Sequence, residues 1–125
     1  MYSIEIKGTS YPLRFGMGFV NEMNKRESVP VDGMPTVKQD VGLSLAIARM
    51  LDGDLEALAD IIFEANRTEQ PRIERNTIYE YFEDDSTDIQ GVFEKVLDFL
   101  KTANCTKLPT KKMLDRFKEY EEQNQ

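Results

Sequence analysis

The 125-residue sequence contains no histidine, no tryptophan and one cysteine. Without histidine, the commonest general base, the commonest zinc ligand and every imidazole-based triad are missing, which leaves only carboxylate, lysine or tyrosine chemistry to an enzyme built on this chain. An enzyme is therefore the minority reading, and no residue is singled out as catalytic, metal-binding or cofactor-binding. Cys105 has no second thiol to pair with and reads as an inert small residue. No apolar run approaches the ~18 residues of a membrane span, and no secretory h-region opens the chain, so no membrane is expected and a reducing cytoplasm is. Positive charge is also scarce: 16 Lys and Arg against 23 Asp and Glu give a formal charge of −7. That balance suits a protein partner better than a polyanion, because nucleic-acid binding leans on neutralising phosphates with Lys and Arg, and no nucleic acid is expected.

What is present is enough apolar material, 40% of the residues, for one core without staples, and residues 1–125 read as a single domain. The densest apolar stretch, 40–66, reads as a central helix pair. Leu43, Ile47, Met50 and Leu51 follow the i, i+4, i+7, i+8 spacing of an amphipathic helix, and Asp52-Gly53-Asp54 supplies a C′ glycine and an acidic N-cap. In the second helix Glu56, Asp60 and Glu64 stand four apart as one narrow stripe, expected to face water. Nearly every other position from Leu55 to Ala65 is apolar, so other segments must pack around this helix.

Before this pair, Tyr2, Ile4 and Ile6 alternate with Ser3, Glu5 and Lys7, and Tyr11 to Phe15 alternates again after a Gly8-Thr9-Ser10 turn, which predicts a β-hairpin over 2–15. Such a hairpin is marginal alone in water, and no third strand is readable to pair with it, so its edge, with Ile4, Ile6, Tyr11 and Leu13, is a candidate self-association site. Residues 16–26 read as a short helix carrying Phe19, Val20 and Met23. Residues 28–39, with Pro30, Gly33 and Pro35, read as a loop, either functional or a simple crossover. Residues 76–122 read as the C-terminal helices. Asn76 is expected to cap the first of them, and 83–88 to cap the second, whose stripe is Ile89, Val92, Phe93, Val96, Leu97 and Leu100. Thr110 is expected to cap the last, with fraying over 121–125. The fold class is mainly α: an N-terminal β-hairpin followed by a compact bundle of about five or six helices.

Asp52, Asp54, Glu56 and Asp60 mimic calcium-loop positions 1, 3, 5 and 9. The loop's glycine and terminal glutamate are replaced by Ala57 and Phe63, so capping explains these acids better. Tyr79, Tyr81 and Phe82 are candidate partner contacts, weighed against a core role, and Tyr79 cannot share the face of the other two. The cations from Lys107 to Lys118 are interleaved with Asp115 and Glu119, which describes a solvated helix better than a phosphate clamp.

Gly8 in the hairpin turn, Tyr11, Leu13 and Phe15 in the second strand, Phe19, Gly42-Leu43, Asp54 ahead of Leu58, and Ile61 with Ala65 before a proline turn together resemble the small tail assembly chaperones of long-tailed phages of Gram-positive bacteria. The resemblance covers roughly residues 2–75 and does not align 28–39. It implies a protein of the host cytoplasm, absent from the mature virion, that coats the helical tape measure protein, keeps it soluble and helps recruit major tail protein. It also implies a longer product made by ribosomal frameshifting. The alternative is a small helical DNA-binding regulator using the pair 40–66 as a helix-turn-helix, which the net charge and the apolar second helix oppose.

Overall fold

The computed structural model describes residues 2–123. Strands β1 (Tyr2–Ile6) and β2 (Thr9–Leu13) pair antiparallel, with Tyr2 opposite Leu13 and Ile4 opposite Tyr11. Lys7 and Gly8 both take positive φ at the turn, 51° and 82°, the mirror-image geometry whose twist matches that of the flanking strands. Alternation then sends Ile4, Ile6 and Leu13 into the core. Six helices follow in chain order: α1 (Met17–Asn24), α2 (Gly42–Leu51), α3 (Leu55–Asn66), α4 (Arg75–Glu83), α5 (Ile89–Thr102) and α6 (Lys107–Gln123). The expected class holds, and one buried cluster draws on the hairpin and on all six helices.

The stretch 28–39 is not a loop. It forms a second hairpin, β3 (Ser28–Val31) and β4 (Met34–Asp40), closed by Asp32-Gly33 with Gly33 at φ 78°. Two features hide it from a pattern reading. Pro30 and Pro35 demote a strand assignment, and a ribbon wet on both faces has no reason to alternate apolar with polar residues. Among its residues only Val31 is even half-buried, and Val29, Met34 and Val37 are exposed. The third and fourth strands thus exist, but they pair with each other and not with β1 or β2.

This arm leaves the body through a tight root. The Val41 N–H donates to the Glu27 carbonyl at 2.8 Å, and the Asn24 side-chain oxygen accepts from the Leu43 N–H at 3.1 Å, capping α2 from a distance. A Cβ at Gly42 would collide with the Met23 carbonyl oxygen, so glycine is what lets the start of α2 lie against the end of α1.

Helix α3 is the core helix that its composition demands. Asp54 caps it by accepting from the Glu56 and Ala57 N–H groups, and Leu58, Ala59, Ile61, Ile62 and Ala65 are all fully buried. The polar stripe is only in part open to water: Glu56 is exposed, whereas Asp60 and Glu64 are partly covered. Arg26 donates to Glu64 and Arg75 to Asp60, each at 2.7 Å, and the Tyr79 hydroxyl donates to Glu56 at 3.0 Å. Arg67 lies 3.4 Å from Oε2 of Glu64, a buried oxygen without a hydrogen bond among the described residues. Burial works against the Arg75 charge, but its hydrogen bonds to Asp60 and Tyr79 outweigh that and hold its pKa above the ordinary value. Spacing shows that a stripe is polar, not which distant cations will reach it.

The end of α3 is where the chain is tied together. Asn66, with no exposed surface, donates from Nδ2 to the Pro12 carbonyl at 2.9 Å and to the Pro71 carbonyl at 3.0 Å, and its Oδ1 accepts from the Ile73 N–H at 2.6 Å. The Arg14 N–H also donates to the Ala65 carbonyl at 2.7 Å. One side chain thereby joins β2, α3 and the turn after α3.

Three expected caps divide unevenly. Asp88 caps α5 by accepting from the Gly91 N–H at 3.0 Å. Asn76 lies inside α4, whose N-cap is Glu74 without a side-chain bond; Arg75, over the Phe63 ring and on Asp60, fixes that start instead. Thr110 is likewise not a cap. Helix α6 begins at Lys107 with Pro109 in its first turn, where a missing N–H costs nothing, and the buried Thr110 hydroxyl bonds back to the Thr106 carbonyl at 2.7 Å. Glu121 to Gln123 continue α6, and the rest of the expected fraying, at 124 and 125, lies outside the described residues.

Urea unfolding should separate these roles. Leu58→Ala or Ile62→Ala is expected to cost about 2–5 kcal/mol, as for large-to-small changes in packed cores, whereas Val37→Ala on the arm should stay within about 0.5 kcal/mol. Equal small losses would mean that α3 is not central. Asn66→Ala strips partners from two carbonyls and one N–H, and a loss of about 3 kcal/mol or more is expected from ~1–3 kcal/mol per buried group left unpaired; a loss below that of Val37→Ala would contradict the tie.

Candidate partner-binding surface

The long stripe of α5 divides into two parallel lines. Val92, Val96 and Leu100, four apart, are buried where α5 packs on α3 and α6. Ile89, Phe93 and Leu97, also four apart, lie beside them on the helix surface and stay half-buried. With Met50 and Leu51 of α2 and Gly53 of the α2–α3 turn, this second line forms a groove of about 320 Å³, rimmed by Gln90 and Glu94. The line from Ile89 to Leu97 runs about 12 Å, at 1.5 Å per residue. That is the length of two helical turns, and an apolar face of a partner helix is the shape such a groove receives. The sequence shows one stripe and does not separate the two lines. The available signal was its width, since two adjacent lines exceed what one packing contact covers.

The residues expected at a self-association edge are placed otherwise. Ile4, Ile6 and Leu13 are at most 3% exposed, so their side chains serve the core and only Tyr11 is half-open. Neither strand pairs with a third among the described residues, but the β2 side is partly taken by α3, where the Pro12 carbonyl accepts from Asn66 and the Arg14 N–H donates to the Ala65 carbonyl. Tyr2, Phe15, Phe19 and Phe99 join the hairpin to α1 and α5, with neighbouring ring centroids 5.0–6.1 Å apart.

Nor do Tyr79, Tyr81 and Phe82 gather into one patch. All three are half-buried against the core. Tyr79 turns toward α3 and Glu56, while Tyr81 lines a separate hollow with Ile4, Glu5 and Asp88. Burial, with Asp88 and Glu5 nearby, pushes the Tyr81 hydroxyl pKa up, so it stays neutral as a donor. No group of three or more His, Cys, Asp or Glu side chains is placed to hold a metal among the described residues, and no helix there is long and apolar enough to cross a membrane.

The helix pair proposed for DNA reading lacks the needed surface. As the second helix of the pair, α3 would have to enter the major groove, yet its apolar faces are buried and its polar stripe is occupied by Arg26, Arg75 and Tyr79.

No curated protein and no solved structure matches the chain. A family model described as "Phage tail assembly chaperone protein, TAC" does, over residues 3–115. The match runs from β1 into α6, well past the residues that carry the resemblance in the sequence, and takes in the arm that the resemblance could not align. The chain therefore belongs to the phage tail assembly chaperone family.

Proposed function

We propose that this chaperone serves a long-tailed phage by holding the tape measure protein, a long helical partner with an apolar face, against the groove between α5 and the α2–α3 turn. The observation that carries this reading is the uncovered line Ile89, Phe93 and Leu97. A helix of the partner laid along that line removes apolar surface of both molecules from water, at roughly 25 cal/mol per Å². A single groove of this size binds weakly. Many self-associating copies along one linear partner compound weak sites into stable coverage, because each further engagement is intramolecular. The coated partner is then presented to the major tail protein, which the chaperone helps to recruit. The work is done in the host cytoplasm, and the chaperone is left out of the mature virion.

Co-expression with the tape measure protein of the same phage tests the proposal. The partner is expected to stay soluble and co-purify with the chaperone. Phe93→Asp and Leu97→Asp are expected to lower its soluble fraction at least tenfold, while circular dichroism shows both variants folded. A partner equally soluble without the chaperone, or one still held by the folded variants, would overturn the groove as the binding site.

A further inference from the structure

The α5 groove has an apolar floor, and of the residues that line it Glu94 alone is charged. Glu94 is exposed and has no ion pair among the described residues; its hydrogen bond comes from the neutral amide of Gln90 at 3.3 Å. Gln90, Glu94 and Asp98 stand four apart, one residue on from Ile89, Phe93 and Leu97, so they form the next line round α5 and the outer rim of the groove. Asp98 is exposed and equally unpaired. So is Asp52, in the turn that makes the opposite wall, between the lining residues Leu51 and Gly53. The cations of α2 and α5 are placed elsewhere. Lys95 lines the separate hollow of Ile4 and Tyr81, while Arg49, before Met50, and Lys101, four residues past Leu97, are not in the groove lining. Two acids of the α3 stripe are met by Arg26 and Arg75, but this rim is met by no cation among the described residues.

We infer that Glu94 selects what the groove holds: a helix whose apolar line is flanked by lysine or arginine, with one of those cations against the Glu94 carboxylate. Its role rests on the groove being the capture site, as proposed above, and adds the chemistry of the captured segment. A helix with its side chains is about 10–12 Å across, so one laid along Ile89, Phe93 and Leu97 overhangs the adjoining rim and takes water from Glu94. A carboxylate that loses water on docking needs a partner in exchange. Lysine or arginine on the flank of the incoming helix supplies both the charge and the donors, its stem lying on the apolar floor and its head reaching the rim. Glutamate or aspartate at the same place would set like charges together in a partly dried contact, so the rim turns away acid-flanked helices of equal apolarity. The apolar line supplies the affinity, and Glu94 the choice among helices that all carry such a line.

Two amphipathic helical peptides test this against the full chain by fluorescence anisotropy at low salt. They share one line of leucines spaced three and four apart and differ only in lysine or glutamate on its flanks. The lysine peptide is expected to bind about fivefold more tightly than the glutamate peptide, the reach of one rim ion pair. That difference should shrink toward ~1 M salt, where screening shortens to about 3 Å. Glu94→Lys is expected to reverse the preference. Glu119→Lys, an equal change of net charge at an exposed position on α6, is expected to leave it in place, with circular dichroism showing both variants folded. A preference that Glu119→Lys shifts as far as Glu94→Lys does would overturn the inference and assign the selection to net charge. Equal binding of both peptides to the wild type, abolished by Phe93→Asp, would also overturn it while the groove stands as the binding site. If neither peptide binds, or if Phe93→Asp leaves binding unchanged, the groove itself falls as the capture site and the role of Glu94 falls with it.

Discussion

The Asn66 side chain is the constraint on which the arrangement rests. From a fully buried position it satisfies two carbonyls and one N–H, from segments as far apart in sequence as Pro12 and Ile73. A buried polar group costs little when fully bonded and much when partly bonded, so the three partners must arrive together. This gives the end of α3 a unique geometry that apolar packing alone does not specify. The hairpin is placed by it, and so, through Tyr2 and Phe15, is the contact with Phe99 of α5. The partly exposed arginines on the α3 stripe supplement this tie; the orienting is done by the amide.

Periodicity revealed what it physically encodes, which is the difference between wet and dry faces. The first hairpin, the central pair and α5 are legible because each has one face on the core, and Asp54, Gly53 and Asp88 mark ends as local chemistry requires. The arm escaped because both its faces are wet, although Asp32-Gly33 is a hairpin turn signal that the prolines obscured. Thr110 was misjudged as a cap because its hydroxyl satisfies a buried carbonyl, a choice made by tertiary contact. Asn66 gave no signal, since nothing in the local sequence says which distant carbonyls will meet an amide.

The candidate surfaces divide in the same way. The apolar residues of the α5 groove were visible, but the sequence does not say which of two adjacent lines the bundle will cover. The edge residues Ile4, Ile6 and Leu13 were apolar for the ordinary reason, and burial claims them. Tyr79, Tyr81 and Phe82 were expected as a set, but one helical turn spreads three aromatics within four residues over different neighbours. For a chaperone the useful surface is what the fold leaves over, and that remainder becomes readable only once the packing is known.

The hydrogen bond from Asn66 to Pro12 also sets an order of events during synthesis. The hairpin emerges from the ribosome first, yet the amide that seats it follows 54 residues later. At about 5–20 residues per second, the hairpin waits on the order of several seconds with Ile4, Ile6 and Leu13 unburied, and a two-stranded ribbon is marginal in that condition. The nascent chain therefore passes through an interval in which its own core strands are open to solvent, and it leaves that interval only when α3 and the turn behind it have been made.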